Sequence, residues 1–164
     1  KNLSNWIYKL NFLNKHFNII LRPHPKTISR NKDLIHEISK LDYILDTDFD
    51  KKIGEAIINS DLIFADYGGI VFDTLYLEKK IILLDLDSKT NFVKTLKDIE
   101  SVDIDIRNHL KSLKDEDTEK NIMSKLRIVI DENLERVKTL KNHYFGKKNY
   151  LNFEQTLGYL QDLL

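Results

Sequence analysis

Apolar residues follow two different periods along the first part of the chain. From Leu3 to Phe17 they recur every three or four positions, which predicts an amphipathic helix, and the compact run from Asn18 to Leu21 predicts a short buried strand. A second helical face at Leu34 to Leu41 is followed by a second short apolar run at Tyr43 to Leu45. The pattern therefore changes from helix to strand twice before Asp46.

The same succession continues as far as Asp85. Four elements are predicted: a helix at Lys51 to Asn59, a strand at Leu62 to Ala65, a helix at Ile70 to Leu77 and a strand at Ile81 to Asp85. Strands that alternate with helices form βαβ units, whose right-handed crossovers place the strands parallel with helices on both faces. We therefore predict a single α/β domain over residues 1–164 with a doubly wound, Rossmann-like parallel sheet.

The pattern is weaker after Asp85. Alternating apolar residues near Val102 to Ile106 predict an edge strand, and helical periodicity predicts a long helix from about Thr118 to Leu140. A last amphipathic helix is predicted at Phe153 to Leu163.

Composition places the chain among globular proteins and limits its partners. Hydrophobic residues make up 41% of the chain and charged residues 32%, and no apolar run is long enough to cross a bilayer. Lysine plus arginine equals aspartate plus glutamate at 26 each, so no net field attracts nucleic acid, and any anion site has to be built locally. The chain begins at Lys1 rather than Met and shows no signal peptide, so we expect a cytoplasmic piece of a longer protein.

The sequence gives little support for a metal site or a reactive thiol. Because there is no cysteine, disulfides, thiolate metal sites and a cysteine nucleophile are excluded. The five histidines show no H-E-x-x-H spacing, and D-x-D pairs such as Asp103 to Asp105 recur too often to mark a metal site. The fingerprints G-x-x-x-x-G-K-S/T and G-x-G-x-x-G are also absent, which disfavours P-loop and NAD-binding proteins.

Two loops at predicted carboxyl ends of strands carry the candidate chemistry, because ligands of open parallel sheets bind at that edge. The first loop reads Arg22-Pro23-His24-Pro25, and its prolines hold His24 in an extended backbone. A histidine so placed can donate a hydrogen bond to a phosphate oxygen or transfer a proton. The alternative is an ordinary proline-stiffened turn with a surface histidine.

The second loop follows the strand at Leu62 to Ala65 and contains Asp66, Tyr67, Gly68 and Gly69. Glycines where the next helix begins allow a ligand to approach the backbone closely, and the free N–H groups of the first helical turn favour negative charge. A diphosphate suits such a position. The alternative is a tight strand-to-helix turn in which the glycines serve packing only.

Taken together, these segments resemble one family. The order R-P-H-P at Arg22 to Pro25, A-D-Y-G-G-I-V-F-D at Ala65 to Asp73 and K-K-I-I at Lys79 to Ile82 is similar to that of the CDP-glycerol glycerophosphotransferases of teichoic acid synthesis. The second Rossmann-like domain of that family carries an R-x-H-P-like segment, a D-Y-S-S-x-x-F-D segment and a K-P-I strand at similar spacing. The resemblance spans roughly Asn18 to Asp85 firmly and continues from there to Leu164 loosely.

The resemblance implies a GT-B architecture of which this chain is the carboxyl-terminal, donor-binding half. His24 would be the catalytic residue, neutralising or protonating the leaving phosphate, while the amides of Gly68 and Gly69 would hold the diphosphate. The other candidate binding residues lie in the same two segments: Arg22, Asp66, Tyr67 and Asp73. The two aspartates are expected to brace the loop and the helix, because carboxylates in direct contact with a diphosphate would repel it.

The resemblance also implies the partners. The donor would be CDP-linked or otherwise nucleotide-activated, and the acceptor would be a polymer or a lipid-linked chain bound through a missing amino-terminal half. Neither a metal cofactor nor a nucleic acid is expected. Contact with the inner face of the membrane, where it occurs, would come from regions outside this chain. The family's two serines are replaced by Gly68 and Gly69, which removes two hydroxyl donors and keeps the amides.

Three other functions stay open on the sequence. A GT-B nucleotide-sugar glycosyltransferase or a UDP-sugar 2-epimerase would share the fold and a similar donor loop, although the acid–base carboxylates of an epimerase cannot be assigned here. A non-catalytic binding domain would use its glycines for packing alone.

Overall fold

The computed structural model describes residues 2–48, 50, 52–86, 94–95 and 101–146. Eight α-helices have both ends in these ranges: α1 Asn2–Leu10, α2 Pro25–Arg30, α3 Lys32–Ile38, α4 Ile53–Ile58, α5 Gly69–Tyr76, α6 Val102–His109, α7 Glu119–Asp131 and α8 Glu135–Phe145. A 3-10 helix at Asn11–Lys15 continues α1. The five described strands are β1 Ile20–Leu21, β2 Ile44–Leu45, β3 Leu62–Ala65, β4 Lys80–Leu84 and β5 Ser112–Leu113.

All strand pairs in the described residues are parallel. β1 pairs with β2, and β3, β4 and β5 form a second sheet in that order. The mixed α/β class and the parallel pairing are therefore confirmed. The strands are divided between two short sheets, whereas the sequence predicted a single sheet.

Helices cover both faces of the sheet formed by β3, β4 and β5. Side chains alternate along a strand, so Ile82 of β4 faces one side and its neighbours Ile81 and Leu83 face the other. The first side packs on α1, its 3-10 extension and α7: Trp6, Leu10, Leu13, Ile122, Leu126 and Val129. The second side packs on α5, α6 and α8: Val71, Leu75, Ile106, Val137 and Leu140. Burying each of the large aliphatic side chains among them stabilises the fold by about 2 kcal/mol.

Residues 102–106 form the start of a helix, so the predicted edge strand is wrong. Ser101 caps α6 by accepting a hydrogen bond from the Asp103 N–H. Acidic residues lie in the first turn of α6 and basic residues in its last turn, as the helix dipole favours. Val102 is 56% exposed while Ile106 is buried, which is the burial of an amphipathic helix. The helix cap and the charge pattern therefore determine the structure of this segment more strongly than the alternation of apolar residues does.

The long helix predicted at 118–140 is divided into α7 and α8. The Asn133 side-chain oxygen accepts a hydrogen bond from the Glu135 N–H across 2.5 Å, which offers the backbone a local alternative to the helical ladder. The apolar period continues across the break, since Val129 and Val137 are both buried, and for that reason periodicity alone does not reveal it. The predicted helix at Phe153 to Leu163 lies outside the described residues.

The loop predicted after β1 also differs, because α2 begins at Pro25. Proline is favoured at the first position of a helix, where its missing N–H has no partner to lose. None of the helices in the described ranges has both the length and the apolar character needed to span a bilayer.

Candidate functional site

The carboxyl ends of β3, β4 and β5 bring charged residues to one edge of the sheet. Asp66 follows β3, Asp85 follows β4 and Lys114 follows β5. Lys114 Nζ lies 3.3 Å from Asp85 Oδ1. This edge is where the ligands of parallel α/β sheets bind.

Residues 66–70, which we call the glycine turn, lead from β3 into α5. Gly68 has φ +87° and ψ −167°, a backbone conformation that is essentially restricted to glycine. α5 begins at Gly69, and a Cβ atom placed on Gly69 would meet no atom within 4 Å. The space in front of the start of α5 is therefore open on this side.

Two backbone N–H groups at the start of α5 are available to a ligand. The Gly69 and Ile70 N–H groups lie in the first helical turn, where no carbonyl of the helix can accept from them, and they have no partner within the described part of the chain. The positive end of the helix dipole adds to the attraction for an anion. The predicted anion-binding character of Gly69 is therefore compatible with the geometry.

The Gly68 amide is occupied, contrary to the expectation that both glycine amides are available. Gly68 N–H donates to Asp103 Oδ1 across 2.8 Å, and Asp103 lies in the first turn of α6. The two residues are 35 positions apart, so no local pattern signals the contact. Gly68 contributes its conformation to the turn, and its N–H group is held by a carboxylate.

Asp66 makes hydrogen bonds within and next to the glycine turn. Its Oδ1 accepts a hydrogen bond from the Tyr67 N–H across 2.9 Å. Its backbone carbonyl accepts one from Arg107 Nη1. Arg107 Nη2 also donates to the carbonyl of Leu84 across 2.5 Å and lies 3.8 Å from Asp85 Oδ1. One guanidinium therefore joins the ends of β3 and β4.

Arg107 is a cation in contact with the glycine turn that the sequence did not indicate. Its side chain is 13% exposed. Burial lowers the pKa of its guanidinium, and the carboxylates of Asp85, Asp66 and Asp103 oppose that shift. The group stays positively charged, because an arginine does not lose its proton at physiological pH.

Tyr67 extends from the turn and is 41% exposed. Burial raises the pKa of its phenol, and the carboxylates of Asp66 and Asp103 raise it further. The hydroxyl therefore keeps its proton at neutral pH and can donate a hydrogen bond. Asp73 lies one helical turn after Gly69 on α5, with an exposed side chain.

His24 lies at the end of β1 and caps α2. Its Nδ1 accepts a hydrogen bond from the Lys26 N–H across 3.1 Å, so that nitrogen carries no proton and Nε2 carries one. The imidazole is exposed, and within the described ranges Nε2 has no partner. The side chain can therefore donate a hydrogen bond from Nε2 to a ligand while its other nitrogen holds the helix.

Arg22 is engaged by the loop after β2. Nη1 lies 3.1 Å from Asp46 Oδ2, and Nη2 donates to the carbonyl of Asp48 across 2.9 Å. Its side chain is largely buried. The structure thus places the R-P-H-P segment at the carboxyl end of the sheet of β1 and β2, and the glycine turn at the carboxyl end of the sheet of β3, β4 and β5.

The described residues contain no group of three histidine, aspartate or glutamate side chains arranged to hold a metal ion. The metal independence expected from the sequence stays a prediction.

Comparison with protein-family models matches residues 4–98 to the family described as CDP-Glycerol:Poly(glycerophosphate) glycerophosphotransferase. The matched range covers more than half of the chain and contains both the R-P-H-P segment and the glycine turn, whereas Asp103 and Arg107 lie beyond it. No curated protein matches the chain, and no solved structure does.

Proposed function

The chain belongs to the CDP-glycerol:poly(glycerophosphate) glycerophosphotransferase family, and on that premise we propose that it binds the nucleotide diphosphate of a CDP-linked polyol donor. The reaction transfers the polyol phosphate of the donor to a polymer acceptor and releases the nucleotide. The bonds that break are the phosphoanhydride between the two phosphates and the O–H bond of the acceptor hydroxyl. The bond that forms joins the transferred phosphorus to that hydroxyl oxygen, the bridging oxygen leaves with the nucleotide, and the proton passes to the solvent.

The open N–H groups of Gly69 and Ile70 carry this proposal. They lie at the start of α5, within the residues that match the family, and the space beside Gly69 is open. Two N–H groups and a helix dipole supply donors and positive potential to a phosphate without a metal ion. Preorganised donors of this kind and correct positioning supply most of the catalysis in phosphoryl transfer.

We assign to His24 the second contact with the donor. The His24 side chain is exposed on a capped and proline-restrained backbone, so a phosphate oxygen can accept from its Nε2–H without disturbing α2. In the reaction this donor would stabilise the negative charge that grows on the leaving phosphate. Tyr67 supplies a further protonated hydroxyl beside the glycine turn.

The proposal assigns different roles to the remaining candidates. Arg22 holds the loop after β2 through Asp46 and Asp48 and so supports the His24 segment. Asp66 holds the glycine turn, and the Gly68 amide is bound to Asp103. We further propose a GT-B enzyme in which a separate half binds the acceptor on the cytoplasmic side, with membrane contacts made outside this chain.

Titration with CDP-glycerol, CDP and UDP tests the proposal. Isothermal calorimetry on the 164-residue chain measures the binding. We expect saturable binding of CDP-glycerol and of CDP, and weaker binding of UDP. Preference for UDP or a UDP-sugar would assign the chain to nucleotide-sugar chemistry. Absence of nucleotide binding would contradict the donor site altogether.

A further inference from the structure

We propose that α6 is a clamp that holds the glycine turn in its binding conformation, with Asp103 and Arg107 as positioning residues that do not contact the donor. This role deepens the proposed function and rests on it. Neither residue lies within the range that matches the family.

The two side chains hold two backbone groups of the same turn. Asp103 Oδ1 accepts from the Gly68 N–H across 2.8 Å, and Arg107 Nη1 donates to the Asp66 carbonyl. Positions 103 and 107 are four apart on α6 and therefore project from the same face of the helix. The held groups are an N–H and a carbonyl, and each is paired with the side chain of complementary chemistry.

The clamp also fixes the turn to the sheet. The second donor of Arg107 reaches the Leu84 carbonyl at the end of β4 across 2.5 Å. A guanidinium presents its donors in a rigid planar fork, so one residue can set the spacing between the end of β4 and the glycine turn. The glycine turn is in this way attached to both neighbouring strands.

A clamp is useful at Gly68 because a glycine backbone has to be held in one of many accessible conformations. Glycine has the largest conformational freedom of all residues, and Gly68 has to adopt φ +87° for α5 to begin at Gly69. Holding the turn before the ligand arrives removes an ordering step from binding, which increases affinity without any new contact with the ligand. The N–H groups of Gly69 and Ile70 are then presented in a fixed direction.

The negative charge of Asp103 distinguishes the clamp from an alternative role in which Asp103 competes with the ligand. The Asp103 carboxylate is negative and could instead occupy the position of a phosphate, in which case its removal would strengthen anion binding. If Asp103 acts as a clamp, it holds the turn through the oxygen that accepts the Gly68 hydrogen bond, and its charge is not required. Asparagine keeps an acceptor oxygen at the same place and has no charge, so Asp103→Asn preserves a clamp.

The test uses Asp103→Ala, Asp103→Asn and the control Asp33→Ala in the whole chain. Asp33 is a suitable control because it is the second residue of α3, as Asp103 is of α6, and it is exposed. Amide hydrogen exchange of Gly68 is measured first, and CDP binding by calorimetry second.

We expect Asp103→Ala to accelerate exchange at Gly68 and to weaken CDP binding, each by about tenfold for one lost hydrogen bond. Asp103→Asn should stay close to the wild type in exchange and bind CDP at least as well, and the control should change neither.

Three results decide the proposal. Tighter CDP binding by Asp103→Ala would show that the carboxylate competes with the ligand and would overturn the clamp. Unchanged exchange at Gly68 in Asp103→Ala would overturn it as well. If the exchange results are as expected but the wild type does not bind CDP, the clamp on the turn is supported and the donor site of the proposed function is refuted.

Discussion

Trp6 donates its indole N–H to the backbone carbonyl of Asp85 across 3.3 Å, which joins the first helix to the end of β4. Its ring is 3% exposed, and it is the single tryptophan of the chain. Asp85 is in turn paired with Lys114 and lies near Arg107. The packing of α1 and the charged edge of the sheet are therefore connected, and the fluorescence of Trp6 reports on the unfolding of both.

Arg107→Met should lower the free energy of unfolding by about 3 kcal/mol, because it removes a buried charge-assisted donor from the carbonyls of Asp66 and Leu84. Urea unfolding followed by Trp6 fluorescence measures the change. The control is Arg136→Met, whose guanidinium is 42% exposed, pairs with Glu132 and donates to the carbonyl of His109, and its effect should stay under about 1 kcal/mol because the group is open to solvent. Equal effects of the two substitutions would contradict the bridging role of Arg107.

Gly68→Ala should destabilise the fold by about 2 kcal/mol, because φ +87° with ψ −167° is a conformation that alanine adopts only under strain. Gly69→Ala should be neutral or slightly stabilising, since its φ is not in the positive range and a Cβ atom there has space. Thermal and urea unfolding of both variants distinguish a conformational requirement from a packing requirement. A loss of stability at Gly69 equal to that at Gly68 would disprove this distinction.

His24→Asn should lower turnover of the complete transferase by about a hundredfold, because it removes the Nε2–H donor. Asparagine is a good helix cap, so α2 and the stability of the chain should be retained. His24→Ala should lower turnover by the same factor. It should also lower the free energy of unfolding by about 1 kcal/mol, because α2 loses its cap. Steady-state kinetics and unfolding are measured together, and full activity of His24→Asn would refute the catalytic role of His24.

Asp117 should make stability depend on acid pH. Burial acts to raise the pKa of this carboxyl, but the hydrogen bond from the Lys114 N–H at 2.6 Å and the pairing with Lys125 at 2.6 Å outweigh it, and the pKa is lowered. A folded-state pKa below the unfolded-state pKa stabilises the fold above the unfolded-state value, and this stabilisation is lost as pH falls through the folded-state value.

Asp117→Asn should therefore cost about 2 kcal/mol at neutral pH, and the difference from the wild type should shrink below about pH 4. Urea unfolding at a series of pH values measures it. Asp115→Asn is the matched control, because the Asp115 side chain is exposed two positions away. A difference that stays constant down to the lowest pH would show that the Asp117 charge does not contribute.

The sequence predicts the central part of the fold well, because its signals are local. β3 was predicted with its observed bounds, and β4 and α5 were each predicted within one residue. A four-residue apolar strand followed by two glycines and a helical face leaves few alternatives. The two-residue strand β5 and the break at Asn133 carry no such signal, since the pairing of β5 with β4 and the capping by Asn133 are not visible in periodicity.

The candidate site could be predicted only as far as its local segments reach. The turn at Gly68 follows from neighbouring residues, whereas the cap at His24 was not predicted, because Arg22 to Pro25 was interpreted as a loop. Asp103 and Arg107 contact the glycine turn across 35 and 41 positions, respectively, and they lie in a segment whose alternating pattern indicated a strand. Their roles depend on α6 being a helix, which places both side chains on one face.

The donor site is tested most directly by removing one N–H group from the start of α5. Gly69→Pro deletes the N–H at a helix position where proline is well tolerated, and Gly69→Ala keeps the N–H and serves as the matched control. Calorimetry with CDP-glycerol should show binding about tenfold weaker for Gly69→Pro than for Gly69→Ala, because both variants carry a Cβ atom and only proline lacks the N–H. If Gly69→Pro binds CDP-glycerol as tightly as the wild type, the start of α5 is not the site of the donor diphosphate.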